Sequence, residues 1–446
     1  MNQHRLLLFF IVVALLSFTA ACTPPTPPPS PTPWPSDTPP PSDTGTPAAQ
    51  ATSRPVSTRT PTASPTPDAV TITVWHDLPE GQAEHLAEDT ATFQETFPSF
   101  QVELNAYDSA ENFFTSLSAE ERTFDIVLAA PPLLSNLVAT DKITAIDDFF
   151  PPSFLDAFAA VTLTGSERDD KLWGLPDTSG FHLLLFYNRD RVDTPPQTMD
   201  DLIDVVETLG DSSQRGLALN SYDPLWLLPW LSAAGAWPIE EDGRLSLDPT
   251  AAEIALDLYL SWHAEADGIA AVQTYETMRQ SFLNGEAVFM IDGEWAIQEL
   301  SFVPDIDVGI ARLPTVDLPE EDDQPATPLI LGRYWAMSST LSGNQTLAAT
   351  TFLEFITEPD RQLEQISQFG LLPTRRDALD NPKIVNDSIQ RVNAAQMQAG
   401  RPVPLGVNVN ALLDAMRTPL QAALEGEITA QEAAETMQKN IEALND

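Results

Sequence analysis

An alternation of strand and helix patterns, beginning at residue 71, most constrains how this chain can fold. Strand patterns occupy residues 71–75 (TITVW), 100–106 and 124–129, and helical patterns occupy residues 81–97 and 109–119 between them. Strands that alternate with helices of this length form a parallel sheet with right-handed crossovers. The sequence therefore predicts an α/β fold with parallel-type sheets and helices on both faces.

The same alternation indicates where a ligand would bind. In an open parallel sheet, ligands bind beyond the carboxyl ends of the strands. His76 and Asp77 follow the first strand, and residues 130–132 follow the third. A later apolar run, residues 287–291 (AVFMI), leads into Asp292, Gly293, Glu294 and Trp295. We expect these loops to border a cleft.

The amino terminus has the layout of an export signal. A basic start precedes an uncharged apolar segment, residues 6–18, and small residues precede Cys22, the single cysteine of 446 residues. Ala20 and Ala21 before Cys22 resemble a bacterial lipobox, although Thr19 stands where that pattern prefers Leu. We expect residues 1–21 to be a signal peptide and Cys22 to be lipidated.

A proline-rich segment follows the cysteine. Residues 23–67 contain 16 of the 40 prolines, interspersed with Ser and Thr. Such a composition cannot bury enough apolar surface to offset its ordering entropy, so residues 22–67 are predicted to form a disordered tether. About 380 residues remain, enough for two domains of ordinary size.

The charge of the chain excludes some partners. Its 22 Lys and Arg stand against 65 Asp and Glu, a net charge of -43. A strongly negative surface repels phosphate backbones and anionic lipid heads. We therefore expect no nucleic-acid binding, and membrane attachment only through the lipid anchor.

Few residues suggest an enzyme. The five histidines lack metal-ligand spacing, and no nucleophile elbow or phosphate-binding loop follows a strand, so neither a metal nor another cofactor is predicted. Asp292 and Glu294 are the best candidates for the paired carboxylates of a glycoside hydrolase. A secreted hydrolase remains an alternative function.

The tryptophans point to a sugar pocket. Several of the nine lie beside loop signals, including Trp226, Trp230, Trp295 and Trp335. Aromatic rings flanked by polar residues suit a polyhydroxylated ligand, whose apolar faces stack on rings while its hydroxyls form hydrogen bonds. Because Trp is mostly buried in any protein, about half of these are expected to be core residues.

Several motifs, in order, resemble bacterial extracellular solute-binding proteins of the maltodextrin-binding type (family 1). Residues 171–202 (KLWGLPDTSGFHLLLFYNRDRVDTPPQTMDDL) resemble the first crossing between lobes, and residues 281–297 (SFLNGEAVFMIDGEWAI) are similar to the family's Gly-x-Trp segment. Residues 306–314 resemble the return crossing, and residues 331–362 and 369–379 resemble the final third.

The resemblance implies a two-lobed periplasmic-binding-protein-like fold of type II, with a hinge of several crossings. It places residues 68–184 and 312–358 in the N-terminal lobe, and residues 185–311 and 359–446 in the C-terminal lobe. It implies a monomeric receptor that delivers a saccharide to an ABC permease. The receptor would be exported and anchored on the outer face of the cytoplasmic membrane. A ligand-sensing ectodomain with the same fold is a further alternative.

The resemblance also implies ligand-binding residues. Trp295 would stack on the sugar, with Glu294 as a polar partner in place of the family's frequent Pro. Tyr334 and Trp335 would reach the cleft from the later crossing, and Phe181 would lie near the first hinge. His76, Asp77, Trp226 and Trp230 are predicted from their positions alone.

Overall fold

The computed structural model describes residues 69–119, 123–209, 215–264, 268–304, 306–318 and 321–445. The predicted signal peptide, the lipidation site Cys22 and the tether lie outside these ranges. Among the helices described, none combines the length and apolar character that crossing a membrane requires.

The strands, in chain order, are β1 (Val70–His76), β2 (Phe100–Ala106), β3 (Ile126–Ala129), β4 (Ile143–Thr144), β5 (Glu167–Arg168), β6 (Lys171–Leu172), β7 (Leu175–Gly180), β8 (Leu183–Asn188), β9 (Leu217–Ala218), β10 (Phe289–Gly293), β11 (Val308–Ala311), β12 (Val316–Leu318), β13 (Glu321–Gln324), β14 (Leu329–Ser338) and β15 (Arg401–Pro402).

The helices are α1 (Glu80–Thr96), α2 (Ala110–Ser118), α3 (Pro131–Ala139), α4 (Pro152–Leu155), α5 (Ala160–Leu163), α6 (Met199–Thr208), α7 (Leu228–Ala233), α8 (Pro249–Trp262), α9 (Tyr275–Leu283), α10 (Ala296–Leu300), α11 (Asn344–Ile356), α12 (Pro359–Phe369), α13 (Arg376–Leu379), α14 (Pro382–Val385), α15 (Ser388–Ala399), α16 (Val409–Leu424) and α17 (Ala430–Glu442).

The first sheet has the strand order β15-β14-β3-β1-β2, and β4 and β7 also pair with β14. β1 runs parallel to β2 and β3, as the initial alternation predicts, and the predicted bounds of these elements agree within two residues. β14 runs antiparallel to β3 and β7. The predicted α/β class is confirmed, with a long antiparallel strand added beside the parallel unit.

The second sheet has the order β11-β8-β10-β9 and is mixed. Its central strand, β8, runs antiparallel to β10 and β11, whereas β10 runs parallel to β9. β8 follows β7 after only two residues, 181 and 182, so the chain passes directly from the first sheet to the second. It returns between β11 and β14, through the antiparallel pair β12–β13.

Each sheet has its own apolar core. In β3, Ile126 and Leu128 pack on one face of the first sheet, and Val127 and Ala129 pack on the other. This alternation arises because successive side chains of a strand point to opposite faces of the sheet. Because both faces are buried here, all the residues of β3 are apolar. A separate cluster surrounds the second sheet and includes residues of α8, α16 and α17.

The lobe limits remain a prediction, but two contacts bear on them. The side chains of α16 and α17 belong to the core of the second sheet. Arg361 of α12, in contrast, pairs with Asp89 of α1 at 2.7 Å. The segment just after residue 358 therefore also contacts the helix layer of the first sheet.

Phe93 of α1 joins this helix to α11. It is fully buried, and its ring centroid lies 5.2 Å from that of Phe352 and 5.5 Å from that of Phe355. We expect Phe93→Ala to lower the free energy of unfolding by about 3–5 kcal/mol, because it leaves a cavity in a packed core. Urea denaturation checks this. Phe302→Ala is the control, since Phe302 is 81% exposed and its loss should change stability by less than about 0.5 kcal/mol.

Candidate ligand-binding site

The connection between β7 and β8 is tied to the loop after β10. The backbone N–H of Phe181 donates to Oε1 of Glu294 at 2.9 Å, and the N–H of Glu294 donates to the carbonyl of His182 at 3.0 Å. Phe181 has φ of +67°, a conformation that is strained for a bulky side chain. Such strain persists only where the surroundings enforce it, and it concentrates at functional sites.

Four aromatic side chains meet beside this connection, and we call them the aromatic cluster: Phe181, Trp226, Tyr275 and Trp295. The Trp295 ring lies 5.3 Å from Phe181 and 6.5 Å from Trp226, and Trp226 lies 6.0 Å from Tyr275. Trp295 is 39% exposed and Phe181 is 37% exposed, whereas Trp226 is 3% exposed. The first two rings are therefore accessible to a ligand, and Trp226 supports them.

Two glycines allow this arrangement. A Cβ at position 293 would collide with the Trp295 ring, and a Cβ at position 180 would collide with the Glu294 carboxylate. The Gly-x-Trp spacing in the sequence thus has a direct steric reason.

Hydrogen bonds fix the orientation of Trp295. Its indole N–H donates to the Tyr275 hydroxyl at 3.0 Å, and that hydroxyl donates to Oδ2 of Asp292 at 3.4 Å. Arg279 pairs with the same Asp292 oxygen at 3.0 Å and with Glu299 at 2.8 Å. Polar groups thus support the exposed ring from the protein side.

Tyr275 and Arg279 were not predicted from the sequence. Both lie on α9, one turn apart, and face the end of β10. The helix begins at a capping box formed by Thr274 and Thr277. That capping pattern and the four-residue spacing were visible in the sequence, but their contact with Asp292 depends on how α9 packs.

The two carboxylates proposed for a hydrolase are committed to the protein. Asp292 is fully buried, and burial raises its pKa to about 6 even though Gly293 N–H, Arg279 and Tyr275 favour its charged form. Burial also raises the pKa of Glu294, whose Oε1 already accepts the Phe181 N–H. Asp292 cannot reach a glycosidic bond from this position.

A second polar group lies on two paired strands of the first sheet, β7 and β14. Arg333 donates to Asp177 at 3.1 Å and to Gln82 at 3.1 Å, and the Trp335 indole N–H donates to the other oxygen of Asp177 at 3.1 Å. Asp177 lies in β7, and Phe181 follows directly after that strand, four residues later. Because four residues of extended chain span about 13 Å, their α-carbons lie within that distance. Arg333 was not predicted, because nothing in its sequence context distinguishes it from a surface cation.

His76 and Asp77 lie at the end of β1, as predicted. His76 is buried, its Nδ1 accepts the Leu78 N–H at 3.3 Å, and burial lowers its pKa. Asp77 is exposed. Of the two, only Asp77 therefore presents its side chain to solvent.

Three residues predicted to contact a ligand are core residues. Trp230, Tyr334 and Trp335 are each at most 2% exposed. Trp230 packs edge-to-face on Trp262 at 4.7 Å, and Trp335 packs on Phe352 at 6.3 Å. Tyr334 and Trp335 lie on opposite faces of β14, each within one core of the first sheet. These three rings therefore present no open face in this conformation, and their contact with a ligand stays a prediction.

Comparison with protein families identifies one model that matches residues 90–391, described as bacterial extracellular solute-binding protein. The maltotriose-binding protein of Pyrococcus abyssi is 22% identical over 326 residues, which cover 71% of this chain and 69% of the relative. A maltooligosaccharide ABC transporter solute-binding lipoprotein of Streptococcus pneumoniae is 22% identical over 279 residues, covering 59% and 63%. The matches thus span about two thirds of these relatives.

Solved structures share the fold. The maltose/maltodextrin-binding domain MalE of Bdellovibrio bacteriovorus, bound to maltotriose, superposes with a TM-score of 0.63 at 24% identity. The match covers 84% of this chain and all of that domain. The aromatic cluster of this chain lies beside its second sheet and the crossing that leads into it.

The raised pKa of Asp292 predicts a specific pH dependence. The folded state holds the Asp292 proton more tightly than the unfolded state, whose ordinary pKa is 3.8. The contribution of this group to the free energy of unfolding therefore falls as pH rises from about 4 to about 6, by up to roughly 3 kcal/mol. Asp292→Asn should remove that part of the pH profile, measured by urea denaturation at several pH values.

Asp360→Asn is the control for this experiment, because Asp360 is exposed on α12. Its profile should follow that of the parent chain. Parallel profiles for the parent and Asp292→Asn would show that Asp292 titrates as an ordinary carboxylate.

Proposed function

Because the chain belongs to the bacterial extracellular solute-binding proteins, we propose that it is the substrate-binding receptor of an ABC importer and that its ligand is a maltooligosaccharide. The observation that carries this proposal is the pair of exposed rings, Phe181 and Trp295, held in place by buried partners. Sugars present apolar faces that stack on such rings. The relatives named for maltotriose and maltooligosaccharides support the ligand class.

Polar contacts would come from the first sheet. Asp77 is exposed just after β1, and Arg333 of β14 is held by Asp177 of β7 and Gln82 of α1. These groups can form hydrogen bonds with sugar hydroxyls while the aromatic cluster holds the ring faces. We infer that the ligand lies between the two sheets and contacts both.

Closure would occur about the crossings between the sheets. The β7–β8 connection has only two residues, and the return passes through β12 and β13. A ligand that contacts both sides stabilises the closed arrangement and shifts the population toward it. The strained Phe181 lies in the short crossing, so it would couple ligand contact to hinge geometry.

The family consists of binding proteins, not enzymes, and the site agrees with that role. Of the acid pair of the hydrolase alternative, Asp292 is fully buried and pairs with Arg279, and Glu294 accepts the Phe181 N–H at Oε1. Binding and release without covalent chemistry is sufficient for a transport receptor.

The amino-terminal features complete the proposal. Residues 1–21 would direct export, lipidated Cys22 would anchor the receptor at the outer face of the cytoplasmic membrane, and residues 22–67 would tether it near its permease. The lipoprotein of Streptococcus pneumoniae supports the anchor. We propose that the receptor acts as a monomer, with lobes near the limits set out above.

Removal of the stacking ring tests the site. Isothermal titration calorimetry with maltotriose should give one binding event in the parent chain. Trp295→Ala should weaken the affinity by at least tenfold, about 1.4 kcal/mol, because it deletes the exposed ring of the cluster. Trp173→Ala, which alters a half-buried tryptophan outside the cluster, should leave the affinity unchanged.

Two results would count against the sugar proposal. Maltotriose could fail to bind the parent chain, or both tryptophan variants could weaken binding equally. Release of glucose or maltose during the titration would instead support the hydrolase alternative.

The anchor has a separate test. Cys22→Ser removes the thiol that lipidation requires, so the exported protein should move from the membrane fraction to the soluble fraction, while its maltotriose affinity stays the same. Retention of the variant in the membrane would indicate that the apolar leader itself holds the protein there.

A further inference from the structure

A buried histidine and two carboxylates meet between α1 and α12, away from the aromatic cluster. His85 and Asp89 lie one turn apart on α1, and Glu364 lies on α12. One potential ligand atom from each of the three residues lies within 4.8 Å of the others. Nε2 of His85 is 3.5 Å from Oδ2 of Asp89.

His85 has no satisfied ring nitrogen. The residue is 8% exposed, and neither Nδ1 nor Nε2 has a hydrogen-bond partner among the described residues. Buried polar atoms in native proteins almost always have a partner, so an orphan suggests an ion or a water. His85 and Asp89 also line a cavity of about 20 Å³, whose other lining residues include Asp177 and Arg333.

The surrounding contacts leave one side of Asp89 free for a cation. Oδ1 of Asp89 accepts from Arg361 at 2.7 Å, and the guanidinium of Arg361 lies 4.5 Å from the centre of the Phe355 ring. Oδ2 faces His85 instead. A carboxylate that binds a metal with one oxygen is commonly held by a hydrogen bond at the other.

We propose that His85, Asp89 and Glu364 bind one divalent transition-metal cation of the zinc class and thereby clamp α1 to α12. Imidazole nitrogen and carboxylate oxygen are both ligands that zinc accepts in proteins, and water would complete the coordination. Calcium fits less well, because it takes six to eight oxygen ligands. The two carboxylates and Arg361 leave a net charge of −1 that the cation would offset.

No sequence pattern predicted this site. The histidine spacings exclude the usual zinc motifs, and Glu364 lies far along the chain from His85. Only the packing of α12 against α1, through Arg361 and Asp89, brings the third ligand into place.

Zinc titration of the full chain, purified without a histidine tag, tests the proposal. Calorimetry should show one Zn²⁺ per chain, and zinc should raise the thermal unfolding midpoint. Glu364→Gln and His85→Gln should each weaken zinc affinity by at least tenfold. Co²⁺ in place of Zn²⁺ should give a visible absorption band typical of a four-coordinate nitrogen and oxygen site.

Asp360→Asn is the matched control, because it removes the same charge from the same helix at an exposed position outside the group. Its zinc affinity should equal that of the parent chain. The Glu364 side chain is half exposed, so Glu364→Gln remains decisive if His85→Gln impairs folding. The proposal is overturned if the parent chain binds no zinc, or if Glu364→Gln and Asp360→Asn bind it equally. Both results are independent of maltotriose binding.

Discussion

The hydrogen bond from the Phe181 N–H to the Glu294 carboxylate is the contact on which the candidate site depends. It ties the short crossing between the sheets to the loop that carries Trp295, and it holds Phe181 at a left-handed φ. Gly180 leaves room for that carboxylate. The ring of Phe181 and the ring of Trp295 are thus positioned by one shared constraint, so a change in the crossing would be transmitted directly to the stacking surface.

A chain of buried polar groups then makes that surface rigid. Trp295 donates to Tyr275, Tyr275 donates to Asp292, and Arg279 neutralises Asp292. Burial disfavours the charged form of Asp292 and raises its pKa, and three donors to its carboxylate partly offset that effect. A binding protein benefits from this arrangement, because a pre-oriented ring loses less entropy when a ligand stacks on it.

Much of the fold was predictable because it follows from local patterns. The alternation after residue 71 predicted β1, α1 and β2 closely. A period of two in apolar residues marks a strand and a period of 3.6 marks a helix, because each period places the apolar side chains on the buried face of its element. The resemblance of the Gly-x-Trp segment implied that Trp295 stacks on a sugar with Glu294 nearby; the ring is exposed, and its contact with a ligand stays a prediction. Burial of Trp230 and Trp335 was not predictable individually, because a tryptophan beside a loop signal has the same sequence context in a cleft and in a core.

By itself, the sequence determined the α/β class and the strongly negative net charge, and it predicted a proline-rich tether, because composition and periodicity act locally. Only the tertiary structure decided which side chains meet. Arg279 on α9 reaches Asp292 on β10, and Arg333 on β14 reaches Asp177 on β7. His85 on α1 meets Glu364 on α12. Each of these contacts depends on how distant elements pack, and no local pattern encodes that packing.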